Sequence, residues 1–484
     1  MEKKNIWIVA IVVVVMVVLC CCAVLVASGA TYAILKPQET SQNMNEPVES
    51  TFSPTREPVT LPTIDLDPDG EEQDNPSPTQ ENQSNIPGEI LAQMEKIERE
   101  VEGLRGLPRA NDLDRKTLTT EELRQRVMED FFVDYTEEDV RQDALILNLF
   151  GLIDRDYDLY ELFVELYSEQ IAGFYDDETK EMVVVQGDKF AGPERMTYAH
   201  EYTHALQDSQ YNLNDGLKLD DDTCELDSEY CAAVTALVEG DASFTETQWF
   251  LEHSSLKDKQ EVLKYYQEYA SPIFDNTPAF LQEDLIFPYV KGLAFVTQLY
   301  EEGGYAAIDA AYLNPPVSTE QIMHPERYPD DQPIKIELDD FTSLLGAGWE
   351  EIDRNTMGEW YTYLILGKPL SSDWALEEEM ALSAAEGWGG DQYLVYHHFE
   401  NDEDVLIFLS EWDTQPDADE FWLAFSEYAI KRWGNTTQRT DTKLSWELES
   451  ETVIISRQTD QVLWIIAPNL DLAEELATQF PEFH

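Results

Sequence analysis

The pattern His-Glu-Tyr-Thr-His at residues 200–204 constrains the fold of this chain more than any other feature. Two histidines four residues apart project from the same side of an α-helix, so His200 and His204 could reach one metal ion. Glu201 lies one residue further round such a helix, close enough to a water at the ion to accept its proton. The fold must therefore present this segment as a helix and bring a third ligand from elsewhere in the chain.

The residues around the pattern predict that helix. Pro193 suits a first turn, where its missing N–H group is not needed. Met196 and Ala199 follow at helical spacing, and neither glycine nor proline interrupts residues 194–211. We therefore expect the pattern on one uninterrupted helix.

Glu239 is the predicted third ligand. It lies 35 residues after His204 in the sequence ALVEGDA, within a helical pattern over residues 225–251. A carboxylate among alanine and leucine side chains would be costly to bury alone, and a metal ion removes that cost. The alternative is an ordinary surface glutamate. A third histidine close to the first two is excluded, because Gln207 and Gln210 stand where an extended motif would place glycine and histidine.

The runs HEYTHALQD and ALVEGDA together resemble the gluzincins, the thermolysin-like zinc metallopeptidases that use two histidines and a distant glutamate. The resemblance implies one zinc ion per chain on His200, His204 and Glu239, with Glu201 as the catalytic base. It also implies a mainly helical catalytic domain with a small edge sheet.

Two aspartates and a pair of strands extend the resemblance. Asp208 matches a position that is also aspartate in thermolysin-like enzymes, and Asp241 is predicted to hold a ligand imidazole in the required tautomer. For both, the alternative is a solvated surface aspartate. Residues 170–175 and 182–185 predict two strands joined by a turn. In zincins a strand in this place pairs with an extended peptide substrate.

The run STEQIMHPERY at residues 318–328 resembles a signature of uncharacterised bacterial gluzincin-like proteins. Zincins place a tyrosine or histidine opposite the base, where it stabilises the oxyanion formed during hydrolysis. His324 and Tyr328 are candidates for this role, and Tyr289 is a third. For His324 the alternative is a structural histidine before a proline turn. The sequence has no GxMEN-like exopeptidase motif, which favours an endopeptidase.

Residues 6–27 have no charged or strongly polar side chain, and Lys3 and Lys4 precede them. At about 1.5 Å per residue, this segment is long enough to cross roughly 30 Å of hydrocarbon. Its length and positive flank predict a single-pass signal anchor over residues 1–36, with the rest of the chain outside the cytoplasm. Cleavage of the anchor, or lipidation of the cysteines at positions 20–22, are the alternatives.

Composition divides the rest of the chain into three segments. Residues 37–85 are rich in proline, serine, threonine, asparagine, glutamine and acidic residues, which predicts a disordered stalk. Residues 86–382 are mostly helical by pattern and form the predicted catalytic domain. Residues 383–484 predict a small α+β accessory domain. Its expected order is strands over 393–397 and 405–412, a helix over 417–433, strands over 444–448, 452–457 and 462–467, and a last helix from residue 470. The expected fold class is therefore α+β with an N-terminal transmembrane helix.

The formal net charge of −67 limits the partners of this chain. So acidic a surface repels nucleic acid and anionic lipid headgroups, which leaves the N-terminal helix as the expected membrane contact.

Cys224 and Cys231 are the two cysteines outside the apolar segment. A disulfide would pin the start of the Glu239 helix. On one continuous helix they would be about 10 Å apart and could not bond.

The residues and the resemblance together predict a membrane-anchored, extracytoplasmic zinc metallopeptidase that cleaves peptide or protein substrates. The alternative is a surface binding or adhesion protein on a degenerate zincin scaffold. The intact Glu201 disfavours this alternative, because a binding protein has no use for a catalytic base.

Overall fold

The computed structural model describes residues 86–110, 113–130, 136–170, 172–177, 179–185 and 190–483. The predicted signal anchor, its three cysteines and the predicted stalk all lie outside these residues. Among the described helices, none is long and apolar enough to cross a lipid bilayer.

The described chain is α+β, with helices dominating up to residue 345 and a large sheet in the C-terminal part. The helices are α1 (Gly88–Arg105), α2 (Thr120–Asp130), α3 (Glu137–Leu149), α4 (Leu159–Gln170), α5 (Gly192–Tyr211), α6 (Asp221–Leu226), α7 (Ser228–His253), α8 (Leu256–Glu268), α9 (Pro272–Asn276), α10 (Ala279–Gly303), α11 (Tyr305–Leu313), α12 (Thr319–Met323), α13 (Thr342–Leu345), α14 (Gly358–Gly367), α15 (Glu378–Ala385), α16 (Gln415–Trp433) and α17 (Leu470–Ala477).

The strands form two sheets, one of three strands in the order β1-β3-β2 and one of seven in the order β4-β5-β6-β10-β9-β8-β7. Their bounds are β1 (Asp114–Leu118), β2 (Gly173–Asp176), β3 (Glu181–Val185), β4 (Trp349–Asn355), β5 (Trp388–His398), β6 (Glu403–Trp412), β7 (Gln438–Arg439), β8 (Lys443–Glu447), β9 (Thr452–Gln458) and β10 (Gln461–Ala467).

The strand pair predicted upstream of the His-Glu-Tyr-Thr-His segment is confirmed as an antiparallel hairpin of β2 and β3. Its first strand begins at Gly173, later than predicted, because α4 continues to Gln170. β1, which the sequence analysis missed, pairs in parallel with β3 and makes β3 the central strand. β2 is therefore an edge strand, and it packs against α5.

The predicted helix over the His-Glu-Tyr-Thr-His segment is confirmed as α5. Pro193 occupies its first turn, and the Glu194 carboxylate accepts a hydrogen bond from the Ala191 main-chain N–H at 3.0 Å. Asn212, with φ 56°, ends the helix in the left-handed region. Every residue from 198 to 208 is buried, because α1, α7 and the three-stranded sheet all pack on this helix.

The predicted continuous helix over residues 225–251 is wrong at its start, where α6 and α7 are separate helices that meet at Asp227. The Asp227 carboxylate accepts a hydrogen bond from the Tyr230 main-chain N–H at 3.0 Å and so caps α7. This break brings the Cα atoms of Cys224 and Cys231 to 5.5 Å, and the two residues form a disulfide. The bond ties the start of α7 to α6.

α7 and α10 touch through two glycines. A Cβ atom on Gly240 would lie 2.2 Å from the Gly292 carbonyl oxygen, and one on Gly292 would lie 2.0 Å from the Ala236 carbonyl oxygen. Since neither position has room for a Cβ atom, the two helices approach this closely only because both residues are glycine. The contact fixes Glu239, the chain neighbour of Gly240, relative to α10.

The seven-stranded sheet is antiparallel throughout and is covered on both faces. Successive residues of β10 point to opposite faces. Trp464 joins the apolar cluster that contains α16, and Ile465 joins the cluster that contains α17. The first of these clusters also includes residues of the helical part, so the two parts share one core.

The order of strands and helices predicted after residue 383 is confirmed from β5 to α17. Two edge strands, β4 and β7, were missed. β4 lies before the predicted boundary at residue 382 and pairs with β5, and α15 runs across that boundary. The sheet therefore begins earlier than predicted. β4 has the sequence WEEIDRN and buries few of its side chains, so it lacks the alternation that marks a half-buried strand.

Candidate metal centre

His200, His204 and Glu239 come together between α5 and α7. One possible ligand atom from each lies within 4.8 Å of the others. The Oε2 atom of Glu239 is 3.1 Å from Nε2 of His200 and 3.4 Å from Nε2 of His204. All three side chains are buried. These three residues, called the metal group below, are arranged so that they could hold one cation.

The other ring nitrogen of each histidine has its own partner. Nδ1 of His200 lies 3.1 Å from Oε2 of Glu246, and Nδ1 of His204 lies 2.8 Å from Oε1 of Gln207. Each acceptor favours the tautomer in which Nδ1 carries the hydrogen. Nε2 of each histidine then faces Glu239, which is the arrangement needed for binding a metal through Nε2.

Four buried polar atoms at this place have no hydrogen-bond partner among the described residues. They are Nε2 of His204, Oε1 of Glu239 and both carboxylate oxygens of Glu201. Polar atoms are seldom buried unpaired, because each loses its hydration without compensation. A metal ion held by His204 and Glu239, with water between the ion and Glu201, would satisfy all four. The residues present therefore fit a metal.

The two glutamates have opposite electrostatic surroundings. Burial raises the pKa of Glu201 to about 7, although the neighbouring histidines oppose this shift. Burial would raise the pKa of Glu239 as well, but the two histidines in their protonated form outweigh burial and hold that pKa at about 2. Glu239 is thus an anion, as a ligand must be. Glu201 can accept and release a proton near neutral pH.

Asp241 is linked to His204 through the side chain of Gln207. The Gln207 amide nitrogen donates to Oδ2 of Asp241 at 3.1 Å and to the Val238 carbonyl oxygen at 2.9 Å. This leaves the amide oxygen facing Nδ1 of His204. Direct contact is prevented because Gln207 occupies the space between the two side chains.

Asp208 holds the β2–β3 hairpin against α5. Its Oδ2 atom accepts hydrogen bonds from the Tyr175 hydroxyl at 2.7 Å and from Nζ of Lys180 at 2.6 Å. Tyr175 belongs to β2, and Lys180 lies in the turn with φ 58°. The carboxylate therefore ties the hairpin to the C-terminal part of α5.

Of the three predicted oxyanion stabilisers, Tyr289 lies beside the metal group, with its ring centroid 6.4 Å from that of His200. His324 has Nε2 2.8 Å from Oε1 of Glu359. Tyr328 donates its hydroxyl to a main-chain carbonyl oxygen at 2.6 Å. Neither of these contacts joins His324 or Tyr328 to the metal group.

The run at 318–328 packs against the first turn of α7. The Thr319 main-chain N–H and hydroxyl donate to Oε1 of Glu229 at 2.5 and 2.8 Å. Glu229 precedes Glu239 by ten residues, which is about 15 Å along a helix. The contact with Thr319 therefore places the start of this run about three helical turns before Glu239 along α7.

Glu246 and Gln207, which contact the two histidines, were not predicted as site residues. Glu246 follows Glu239 by seven residues, or two helical turns, and so lies on the same face of α7. Gln207 follows His204 by three residues and shares its face of α5. Helical spacing from each predicted ligand was therefore the signal that could have identified both.

A cavity of about 140 Å³ lies between α3, α7, α10 and the C-terminal sheet. Thr235, one turn before Glu239 on α7, is part of its wall. The three residues of the metal group do not line it, so the cavity and the metal group are distinct features of the described structure.

Comparison with known proteins informs only the C-terminal part. Residues 344–477 match a family described as a domain of unknown function, DUF8575. This range contains all seven strands of the large sheet and ends with α17, and the metal group lies outside it. No curated protein and no solved structure matches the chain.

Proposed function

We propose that this protein is a zinc metallopeptidase of the gluzincin type, anchored in a membrane by its N-terminal segment and acting outside the cytoplasm. One observation carries the proposal: His200, His204 and Glu239 converge beside the unpaired carboxylate of Glu201. Three protein ligands leave a tetrahedral ion one open position, which is the arrangement of a catalytic site and not of a structural one.

The ligand set favours zinc over other cations. Two imidazoles and one carboxylate suit zinc, whereas magnesium and calcium prefer oxygen ligands alone. The Nδ1 contacts to Glu246 and Gln207 support the same reading, because metal-binding histidines usually donate their second ring N–H to an oxygen acceptor.

The chemistry assigned to the side chains is peptide hydrolysis. When bound, zinc would supply Lewis acidity, polarising the peptide carbonyl and making a water more acidic. Glu201 accepts the proton of the attacking water and passes it to the leaving amine. Tyr289, whose ring lies beside that of His200, is the residue that we assign to donating a hydrogen bond to the oxyanion.

The small sheet supports a peptide as substrate. β2 is an edge strand, and an edge strand can pair with an extended peptide through main-chain hydrogen bonds. A Cβ atom on Gly173 of β2 would lie 3.2 Å from the Thr197 side chain, one turn before the metal-binding residues of α5. A peptide paired with β2 would therefore run past the start of the metal group.

Export is supported by two observations. Residues 6–27 are uniformly apolar and follow two lysines. The Cys224–Cys231 disulfide is of a kind that persists in oxidising compartments.

The test is a comparison of wild type with Glu201→Gln for bound zinc and for casein cleavage. Wild type should bind one zinc ion per chain and cleave casein. Glu201→Gln should bind the same amount of zinc and lose about 10²- to 10⁴-fold in rate, because it lacks only the proton acceptor. The exposed Glu252 of α7 provides the control, since Glu252→Gln should behave as wild type.

Undiminished cleavage by Glu201→Gln would exclude Glu201 as the proton acceptor and so contradict the proposed mechanism. A wild-type protein that holds zinc but cleaves nothing would favour the alternative of a surface binding or adhesion protein.

A further inference from the structure

The first described helix, α1, docks on the metal-binding helix α5 through acidic side chains of one face. The Tyr198 hydroxyl donates to Oε1 of Glu98, and the Tyr202 hydroxyl donates to Oε1 of Glu102, both at 2.7 Å. Both pairs are spaced by four residues, so α1 and α5 lie in register over one helical turn. Arg105 follows three residues later on the same face of α1.

Arg105 reaches past α5 to α7. Its Nε atom lies 2.9 and 3.0 Å from the two carboxylate oxygens of Asp241, and both side chains are fully buried, with 0% of each exposed. A carboxylate buried this deeply needs a charged partner held in good geometry. Arg105 is that partner.

Asp241 in turn fixes the orientation of the Gln207 amide. The amide nitrogen faces two acceptors, Asp241 and the Val238 carbonyl oxygen, while the amide oxygen faces Nδ1 of His204. A flipped amide would set oxygen against two acceptors and its NH₂ group against the imidazole N–H. The contacts of Asp241 and Val238 thus select the orientation that keeps Nε2 of His204 free for a ligand.

We propose that Arg105 is a positioning residue for the metal group. It holds Asp241, Asp241 holds Gln207, and Gln207 holds the His204 imidazole with Nε2 towards the ion. The inference rests on the proposed function and adds to it that α1 belongs to the catalytic apparatus without touching the ion or the substrate.

The shape of the arginine side chain matters as well as its charge. While Nε contacts Asp241, Nη1 donates to Oδ1 of Asp309 at 2.7 Å, and the guanidinium carbon lies 5.0 Å from the Tyr305 ring centroid. A planar guanidinium can make these contacts together, whereas a lysine ammonium is a single point charge. Arg105→Lys should therefore restore only part of what Arg105→Met removes.

The test uses the full-length protein and two readouts. Zn²⁺ affinity is measured by competition with a chromophoric chelator, and the tautomer of His204 is measured by ¹H–¹⁵N NMR on the metal-free protein. Arg105→Met should bind zinc about 10- to 100-fold more weakly and should populate the other His204 tautomer. Arg99→Met is the matched control: this arginine of α1, 56% exposed and paired with Glu95, lies outside the chain of contacts, so its loss should leave both readouts unchanged.

A double-mutant cycle separates positioning from general support of the fold. If Arg105 acts through Gln207, Arg105→Met should cost little further zinc affinity once Gln207→Met is present. Equal losses in both backgrounds would overturn the proposal.

The conservative variant Arg105→Lys tests the proposal in case Arg105→Met fails to fold. Arg105→Lys should fold and bind zinc about three- to tenfold more weakly than wild type. Wild-type affinity in Arg105→Lys, together with an unfolded Arg105→Met, would show that the arginine serves the fold alone and would overturn the proposal. A wild type that binds no zinc would refute the proposed function, and the His204 tautomer would still decide the role of Arg105.

Discussion

At the scale of single residues, the two histidines of the metal group are oriented by different acceptors. His200 faces the carboxylate of Glu246, whereas His204 faces the amide of Gln207. A carboxylate acceptor makes its imidazole a stronger ligand than a neutral amide does. The charge of Glu246 should therefore contribute directly to metal affinity, and Gln207 should contribute mainly orientation.

We predict that Glu246→Gln weakens zinc binding by roughly tenfold. The substitution keeps an oxygen acceptor for Nδ1 of His200 but removes the negative charge. Competition with a chelator measures the affinity, and Glu252→Gln, at an exposed position of the same helix, is the control. Equal affinities for Glu246→Gln and wild type would mean that the carboxylate has no electrostatic role.

The sequence predicted the candidate ligands and the candidate base, which belong to recognisable patterns, but not the side chains one or two helical turns away that contact the histidines. His200, Glu201 and His204 follow from their spacing, and Glu239 from an acid in an apolar run. The contact between Arg105 and Asp241 could not be predicted, because it joins residues 136 positions apart. Helical periodicity carries no information over such a separation.

At the scale of elements, three consecutive residues of α7, Glu239, Gly240 and Asp241, contact different parts of the surrounding structure. Successive residues of a helix point about 100° apart, so adjacent residues face different partners. Glu239 faces the histidines of α5, Gly240 contacts α10, and Asp241 faces Gln207 and Arg105. The position of the ligand therefore depends on the packing of α7 against α10.

We predict that Gly292→Ala destabilises the protein by about 1–3 kcal/mol or more, because the added methyl group would overlap the Ala236 carbonyl oxygen of α7. Zinc affinity should fall with stability, since α7 must move away from α10. Gly103→Ala is the control: an added Cβ atom there meets nothing within 4 Å, so this helix should gain about 0.5–1 kcal/mol. Urea unfolding measures both changes, and a Gly292→Ala protein as stable as wild type would contradict the close contact.

A second element-scale feature joins β5 to α14. The Asp391 carboxylate accepts hydrogen bonds from the main-chain N–H groups of Met357 at 2.8 Å and Gly358 at 3.0 Å, and from the Trp388 indole at 2.7 Å. Burial nevertheless raises the pKa of Asp391 to about 6, although these donors oppose the shift. The start of α14 is thus held by a carboxyl group whose ionisation is costly.

This shift predicts a dependence of stability on pH. The unfolded chain loses the Asp391 proton near its ordinary pKa of 3.8, before the folded protein does. The stability that the protonated group contributes is therefore complete below 3.8 and is lost as the pH rises to about 6. Asp391→Asn does not titrate. The unfolding free energy of wild type, relative to that of the variant, should therefore fall by about 2–3 kcal/mol from pH 4 to pH 7, as measured by urea unfolding. A constant difference would contradict the raised pKa.

Helices and strands whose apolar side chains recur at a regular spacing were predicted well, and elements without such a spacing were predicted poorly. β5 to β10 bury one or both faces and carry the expected apolar residues, apart from the two-residue edge strand β7. β4 is an acidic edge strand, and the break at Asp227 depends on a cap and a disulfide, so neither has a periodic signature. Prediction from periodicity is therefore limited at edge strands and at helix breaks that single side-chain contacts fix.

At the scale of the whole molecule, the helical part and the C-terminal sheet share an apolar cluster. Phe150, which follows α3, packs edge-on against Tyr393 of β5 and Trp464 of β10, with ring centroids 5.2 and 5.6 Å apart. Arg155 forms ion pairs with Asp402 and Asp404 near the turn between β5 and β6. The domain that matches DUF8575 is therefore expected to stay attached to the helical part when the chain is cut upstream of residue 86.

The predicted topology makes this expectation testable on intact cells. If the apolar segment at residues 6–27 is an anchor with Lys3 and Lys4 inside, everything after residue 36 lies outside the cytoplasm. An added protease should cut first within residues 37–85, where the sequence offers no apolar clusters to bury. The released fragment should retain zinc and peptidase activity, because the metal group and both sheets lie beyond the cut. Immunoblotting with a cytoplasmic marker as control distinguishes the outcomes. A protein that is protected in intact cells and digested only after lysis would reverse the topology, and would remove the support that the disulfide gives to an extracytoplasmic peptidase.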